Sequence, residues 1–293
     1  MRALLAIAGL FAIGFPLSGA SAAEIDDFLA CLEDRSAAMV SAHRGGPAAG
    51  YPENALETLQ RGAANGLRMF ELDVASSRDG ELFLMHDRTL DRTTTGAGDI
   101  GATDWADIRE LRLKDNDGAV TSFAPPTLRA TLAWAAEVEV FLTLDIKGDA
   151  DTAAIAEAVA AAGMGPRVVY IARSTEQAQS LLAQTPGAMA SVPPDAVASG
   201  AIDDDRALVW AGFRDFDPAR IAALDDAGLY VNFGTLGFGD SYDDRIAASG
   251  DDSGYLDFVA AGLHVISSDR PLAARAALNA AGRSWDSDGA CAR

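Results

Sequence analysis

Two of the chain's three histidines stand next to charged residues: His43 precedes Arg44 in Ser41-Ala42-His43-Arg44-Gly45-Gly46, and His86 precedes Asp87 at the end of the stretch 69–87. Within that stretch Glu71 and Asp73 lie two residues apart. In a strand successive side chains alternate faces, so both carboxylates project to one side while Phe70, Leu72 and Val74 project to the other. Asp79-Gly80 is a tight-turn dipeptide, and a two-residue turn there pairs Arg78 with Glu81 and, further along the ladder, Asp73 with His86. An imidazole then lies beside an acidic pair. Imidazole titrates near neutrality, which suits His43 and His86 to general acid and base work. Residues 138–147 read as a further strand, in which Leu142, Leu144 and Ile146 share one face and Thr143, Asp145 and Lys147 the other. That adds a third carboxylate and a cation. The competing reading is a hairpin whose polar side faces water, with Arg44 and Lys147 serving only as salt-bridge partners of these carboxylates. His264 begins a late strand, at the opposite end from the other groups, and reads as structural.

What must position these groups is an alternation of strands and helices. A short apolar run, 37–40, leads into His43, and Pro52-Glu53-Asn54 opens a helix over 55–65 that stops at Gly66. The hairpin 69–87 is followed by a polar, Gly- and Asp-rich excursion, 88–126, with at most a short helix near 104–111. A connection that long most often covers a site. Next come a helix, 127–137, and the strand 138–147. After it helices at 152–162, 175–184, 195–199, 218–227, 255–261 and 272–281 alternate with strands at 167–172, 188–192, 207–212, 229–233 and 264–268. With 81–86 as the return arm of a hairpin, eight parallel strands remain. The expected class is therefore α/β, a closed (β/α)₈ TIM barrel in a single domain with a small insertion, 88–126, after the second-strand hairpin. An open doubly wound sheet is the alternative, and the lack of a Gly-rich fingerprint after the first strand speaks against it. In a barrel, His43, Arg44, Glu71, Asp73, Asp145 and Lys147 all fall at the C-terminal ends of strands, where barrel enzymes build their sites.

A formal charge of −20 argues against nucleic acid and anionic membranes as partners, and any anionic substrate then needs a local positive centre. Residues 1–23 carry one positive charge, an apolar run over 3–17 and small residues before Glu24, the pattern of a cleaved secretory signal peptide. The run is short for a membrane span and no cysteine stands there to carry a lipid, so the expectation is a periplasmic or secreted protein without a stable membrane anchor, its mature domain being 24–293. Cys31 and Cys291 lie near opposite ends of that domain, in an oxidising compartment. Domain termini often lie close together, so the expectation is a Cys31–Cys291 disulfide, with two unpaired thiols as the alternative.

Taken in order, His43-Arg44-Gly45, Pro52-Glu53-Asn54, Glu71-Leu72-Asp73-Val74, Asp79-Gly80 with His86-Asp87, and Asp145-Ile146-Lys147 resemble the glycerophosphodiester phosphodiesterase family, a phosphatidylinositol-phospholipase-C-like barrel, through most of the mature chain. The resemblance implies that His43 and His86 are general acid and base around one divalent cation, held by Glu71, Asp73 and Asp145. It places Arg44 and Lys147 on the substrate phosphate, with Glu53 and Asn54 supporting. All-oxygen ligands suit a hard ion, Ca²⁺ or Mg²⁺. The implied reaction cleaves a small-molecule glycerophosphodiester to glycerol 3-phosphate and an alcohol. The family usually has glutamate where this chain has Asp145, one methylene shorter, and Trp-Thr-Val-Asn where this chain reads Val231-Asn232-Phe233-Gly234-Thr235-Leu236-Gly237. Ser268-Asp269-Arg270-Pro271 is similar to the family's closing Thr-Asp-x-Pro. Other readings are a barrel phospholipase acting on lyso- or intact phospholipids, for which only Phe233, Leu236 and Phe238 offer an apolar lip, and a non-catalytic glycerophosphodiester-binding protein, against which both histidines argue. A carboxylate-only glycosidase leaves the histidines unexplained.

Overall fold

The computed structural model describes residues 24–237, 239–286 and 291, so the expected signal peptide lies outside the described residues. The strands are β1 (Met39–Ala42), β2 (Met69–Ser76), β3 (Leu82–Leu84), β4 (Phe141–Ile146), β5 (Val168–Ile171), β6 (Met189–Val192), β7 (Ala207–Trp210), β8 (Tyr230–Gly234) and β9 (Val265–Ser268). They form one sheet in the order β1-β9-β8-β7-β6-β5-β4-β2-β3, and β1 also pairs with β2. That last pairing closes eight parallel strands into a (β/α)₈ barrel, with β3 attached antiparallel outside β2.

The alternation of side chains along each strand divides the molecule into an outer core and a barrel interior. Phe70, Leu72 and Val74 of β2 and Leu142, Leu144 and Ile146 of β4 face outward and pack with Leu128, Leu132, Ile155 and Val159 of the covering helices. Met39, Met69, Phe141, Val169, Met189, Leu208 and Val265 belong to a second cluster, at the N-terminal end of the strands. Two residues further along, the same inward parity carries Ser41, Glu71, Thr143, Ser191 and Ser267, so the interior turns from apolar to polar towards the C-terminal end. Two residues beyond that, Asp73 and Asp145 stand side by side in register. The carboxylates thus sit at the rim because of where they fall in the strand period.

The apolar end is sealed by an element the strand–helix alternation did not predict. Helix Ile25–Asp34 lays Ile25, Phe28, Leu29 and Leu32 against the barrel floor, a spacing of one, four, five and eight that is the apolar stripe of an amphipathic helix. Cys31 on this helix is bonded to Cys291, with a Cα separation of 5.9 Å. A second unpredicted helix, Tyr242–Ser249, starts at a capping box formed by Ser241 and Asp244. The helix Leu128–Val138 runs one residue past its expected end, closing on Glu139 in the left-handed region (φ 57°), which delays β4 to Phe141.

The hairpin register differs from expectation by one residue. Val74 lies opposite Leu84, and the Met85 N–H donates to the Asp73 carbonyl, so His86 is not the residue facing Asp73. The cause is the turn: Ser77 N–H donates to the Glu81 carbonyl, leaving three residues in the loop, with Gly80 at φ 88°. A three-residue loop with a left-handed glycine at its end shifts the ladder relative to a two-residue turn. Residues 88–126 follow β3 with their own small cluster, Leu90, Ile100, Ile108 and Leu113, packed on Phe83 and Met85. Among the described residues no helix is long and apolar enough to cross a membrane.

The Cys31–Cys291 bond spans 260 residues of sequence, for which the chain-entropy model sets a stabilisation of about 5 kcal/mol as an upper figure. Reduction, or Cys31→Ser, is expected to lower the urea midpoint of the mature chain while leaving its native far-UV circular dichroism intact; an unchanged midpoint contradicts this role for the bond.

Candidate active site

At the end of β1 the chain turns sharply through His43, Arg44 and Gly45. Arg44 has φ 50° and ψ 32°, a left-handed conformation that is costly for a side chain of this size. The conformation aims its backbone N–H at Glu71 Oε2, 2.8 Å away, while its guanidinium Nη1 donates to both oxygens of Glu53 at 3.3 and 3.2 Å. Asn54 is also left-handed, at φ 58°. Its Nδ2 donates to Asp73 Oδ2 at 2.7 Å and its Oδ1 accepts from Asp73 N–H at 3.0 Å, so one amide clamps the aspartate at both ends. Pro52-Glu53-Asn54 therefore braces Arg44 and Asp73 from a loop buried under the rim.

Glu71, Asp73 and Asp145 each offer an oxygen, all lying within 4.8 Å of one another. Burial raises the Glu71 carboxyl well above the usual carboxylate range, and the neighbouring Asp73 charge adds to this. Burial also pushes Asp73 up, but Lys147 and the Asn54 amide more than offset it and hold that carboxyl low. Lys147 Nζ stands 2.9 Å from Asp73 Oδ1 and also donates to Asp145 Oδ2. Three carboxylates crowded together, two of them paired with Lys147 and the third, Glu71, forced towards its neutral form, make an oxygen-only cradle whose charge a hard divalent cation would balance. The residues present fit such an ion. Arg44 Nε is buried, has no hydrogen-bond partner among the described residues, and lies 3.8 Å from Asp73 Oδ2.

Each of the two candidate histidines is anchored through Nδ1 to a carboxylate. His43 Nδ1 lies 2.6 Å from Asp269 Oδ1, and its Nε2 is 4.0 Å from Glu71 Oε2. Burial pulls the His43 pKa down, but the hydrogen bond to Asp269 and the charges of Glu71 and Asp269 outweigh it and leave it above 6.5. His86 Nδ1 lies 2.7 Å from Asp87 Oδ1, and Asp87 is gripped by Arg92 through Nε at 2.7 Å and Nη2 at 2.8 Å. Arg92 also donates two 2.8 Å hydrogen bonds to Glu53, which joins the His86 side of the site to Arg44. His86 reaches the acidic cluster electrostatically, its charge helping to lower Asp73. Anchoring Nδ1 leaves Nε2 on each ring for proton transfer.

Asp269, Asp87 and Arg92 are the members of the site that sequence reasoning missed. Asp87 had a local signal, its adjacency to His86, and Asp269 stood in a noted motif without a role; Arg92 had none. Beside His43 and Arg44 opens a cleft of about 1140 Å³ lined also by Glu53, Arg92, Asp269 and the 115–118 turn of the long excursion. The apolar lip is different from the one expected. Phe233 is fully buried against Phe216 and Phe258, and Phe238 lies outside the described residues, whereas Phe213, 39% exposed, joins Leu236 on the cleft wall. His264 is buried at the start of β9, with its Nδ1 accepting from Val231 N–H at 3.2 Å. That assigns the proton to Nε2, so its place beside Glu33 and Asp225 gives a structural ring and no metal ligand.

Residues 43–186 match a family model described as the Glycerophosphoryl diester phosphodiesterase family. Glycerophosphodiester phosphodiesterase 1 of Mus musculus is 34% identical over 131 residues, 44% of this chain and 39% of that protein, so the match spans about two fifths of this mammalian relative. Among solved structures, a glycerophosphoryl diester phosphodiesterase from Parabacteroides distasonis superposes with a TM-score of 0.77 at 26% identity, covering 88% of this chain and 93% of that one. A glycerophosphodiester phosphodiesterase from Agrobacterium tumefaciens gives 0.63 at 25% identity, covering 81% and 99%.

The Asp269–His43 pair makes a prediction for metal-free protein. Because the His43 pKa is raised in the folded state, the pair's stabilisation is present below 6.5 and is lost as pH rises through the folded value. Asp269→Asn should lower the His43 pKa in an NMR titration and destabilise the protein more at pH 6 than at pH 9; a His43 titration unmoved by the substitution refutes the pairing.

Proposed function

We propose that this chain, which belongs to the glycerophosphoryl diester phosphodiesterase family, is a metal-dependent phosphodiester hydrolase that cleaves glycerophosphodiesters to glycerol 3-phosphate and an alcohol. The observation that carries the reading is the meeting, at one barrel rim, of two Nδ1-anchored imidazoles with a cradle of three carboxylates, of which Glu71 and Asp73 are buried and Asp145 half-buried. A phosphodiester is an anion that repels nucleophiles. Its hydrolysis needs charge neutralised at the non-bridging oxygens, a base for the attacking hydroxyl and an acid for the leaving alkoxide.

Glu71, Asp73 and Asp145 would hold the cation, Ca²⁺ or Mg²⁺, and Lys147 steadies Asp73 and Asp145 from the side. When bound, such an ion draws charge from a phosphate oxygen and offsets the acidic cradle. Arg44, whose buried Nε makes no hydrogen bond among the described residues and lies 3.8 Å from Asp73 Oδ2, supplies the positive charge beside the cradle for a second phosphate oxygen. Of the two histidines, one takes the proton of the nucleophile at Nε2 and the other delivers a proton at Nε2 to the departing alcohol. Asp269 and Asp87 accept the Nδ1 proton of each ring, which leaves Nε2 of the neutral base free to take a proton and Nε2 of the protonated acid free to give one. Among the described residues the large exposed hydrophobic side chains are Val120 and Phe213 alone, too little apolar surface to seat an acyl chain, which favours a water-soluble diester over a phospholipid. The leader-like residues 1–23 and the disulfide support export to an oxidising compartment.

The test is turnover of several glycerophosphodiesters by the purified mature chain with and without chelator. Activity should vanish with chelator and return on adding Ca²⁺ or Mg²⁺; full activity in chelator refutes the metal. His43→Ala and His86→Ala are each expected to lower kcat by about 10²-fold or more with cation binding retained. Glu71→Ala and Asp73→Ala should lose activity and cation affinity together. Asp145→Glu, with the longer arm, should reach half-maximal activity at a lower cation concentration; an inactive variant with unchanged cation affinity would remove Asp145 from the ligand set.

A further inference from the structure

Asp243 takes no part in the chemistry above, yet it is a carboxylate only 1% exposed, and no lysine or arginine pairs with it among the described residues. Burying an uncompensated charge is expensive unless donors surround it. Here they do. Oδ1 accepts from the Tyr255 hydroxyl at 2.6 Å, Ser268 Oγ lies 2.9 and 3.1 Å from the two oxygens, and Oδ2 accepts the backbone N–H of Asp269 at 2.6 Å. The side chain also sits in the first turn of helix Tyr242–Ser249, where the helix dipole favours negative charge.

The backbone group that Asp243 secures is that of Asp269, the residue that anchors His43. Asp269 is fixed at three points: its N–H by Asp243, its Oδ2 by Gly237 N–H at 3.0 Å, and its Oδ1 on the His43 ring. Asp243 itself is tied back to the β8 end, its N–H donating to the Thr235 carbonyl at 2.9 Å, and Thr235 N–H donates in turn to Ser267. The carboxylate therefore locks the loop after β8 to the end of β9 at the point from which the His43 ring is held.

We propose that Asp243 is a positioning residue for phosphodiester cleavage, acting through Asp269 to hold the His43 imidazole in its reactive orientation. The inference rests on the role given to His43 above. Misplacing a proton-transfer group by about 1 Å can cost up to about 10²-fold in rate, so a buried lock two residues removed from the chemistry has a measurable effect.

Asp243→Asn keeps the shape but replaces one acceptor oxygen by an NH₂ donor, so the amide cannot accept from both Asp269 N–H and the Tyr255 and Ser268 hydroxyls. In the holoenzyme the expected result is a fall of about 10-fold or more in kcat, with KM and Ca²⁺ affinity within about 2-fold of wild type. The downfield NMR resonance of the His43 Nδ1 proton should shift, and Asp243→Asn combined with Asp269→Asn should be no slower than Asp269→Asn alone. Wild-type kcat with an unmoved resonance overturns the proposal, as does a double variant whose losses multiply. If Asp243→Asn does not fold, Ser268→Ala decides, since it removes the hydroxyl bonded to both Asp243 oxygens: kcat must fall at constant KM, and wild-type kcat overturns the proposal. His43→Ala in the same assay separates the two levels. If that variant keeps the wild-type rate, the role of His43 itself fails; if it is impaired while Asp243→Asn and Ser268→Ala are not, the positioning inference alone fails.

Discussion

The rest of the site is organised around the mutual repulsion of carboxylates held inside the barrel rim. Asp73 and Asp145 face each other across the β2–β4 ladder and Glu71 lies one step below, so strand geometry brings carboxylates together at a rim where two of the three, Glu71 and Asp73, are shielded from water. Every neighbour answers that charge. Lys147 lies against the two aspartates, Asn54 clamps Asp73, and the Arg44 N–H points at Glu71. The left-handed backbone at Arg44 and Asn54 is intelligible in the same terms, because extended residues there would turn these donors away. The strain is the local cost of directing two donor groups onto buried acids.

The two imidazoles are held by the same device from very different parts of the chain. His86 is anchored by its sequence neighbour, and the brace behind it, Arg92, comes from the long excursion after β3. His43 is anchored by a residue 226 positions away, so its orientation exists only once β9 has returned to pair with β1. Barrel closure and completion of the His43 pair are thus one event. The floor of the barrel contributes at a distance, since helix Ile25–Asp34 and Cys291 hold the two ends of the domain against the apolar layer beneath the polar one.

Much of this was legible in the sequence because it depends on local period. Alternation along β2 and β4 placed Glu71, Asp73 and Asp145 on one face, the ordered strands and helices gave eight parallel strands, and the small motifs located His43, His86, Glu53 and Asn54. Period also marks the floor helix through Ile25, Phe28, Leu29 and Leu32, but these residues follow closely on the apolar run 3–17, which blurs where the stripe begins. The hairpin shows the limit of such reasoning. The dipeptide Asp79-Gly80 announces a turn, but one added loop residue moves Asp73 from His86 to Met85, and loop length is decided by hydrogen bonds of Ser77 and Glu81 that the dipeptide does not encode.

What the sequence by itself determined is which residues share a face and at which end of their strands they stand, because those follow from repeats of two and 3.6 residues along the chain. What only the tertiary structure decided is which charges meet. Asp269 on His43, Arg92 on Glu53, and Asp243 beneath Asp269 join segments tens to hundreds of residues apart. Lys147, expected on either a phosphate or its neighbours, lies against Asp73 and Asp145. These pairings arise from barrel closure and from the need of each buried charge for a donor or an opposite charge, a condition that many carboxylates in so acidic a chain satisfy on paper and that three-dimensional proximity alone resolves.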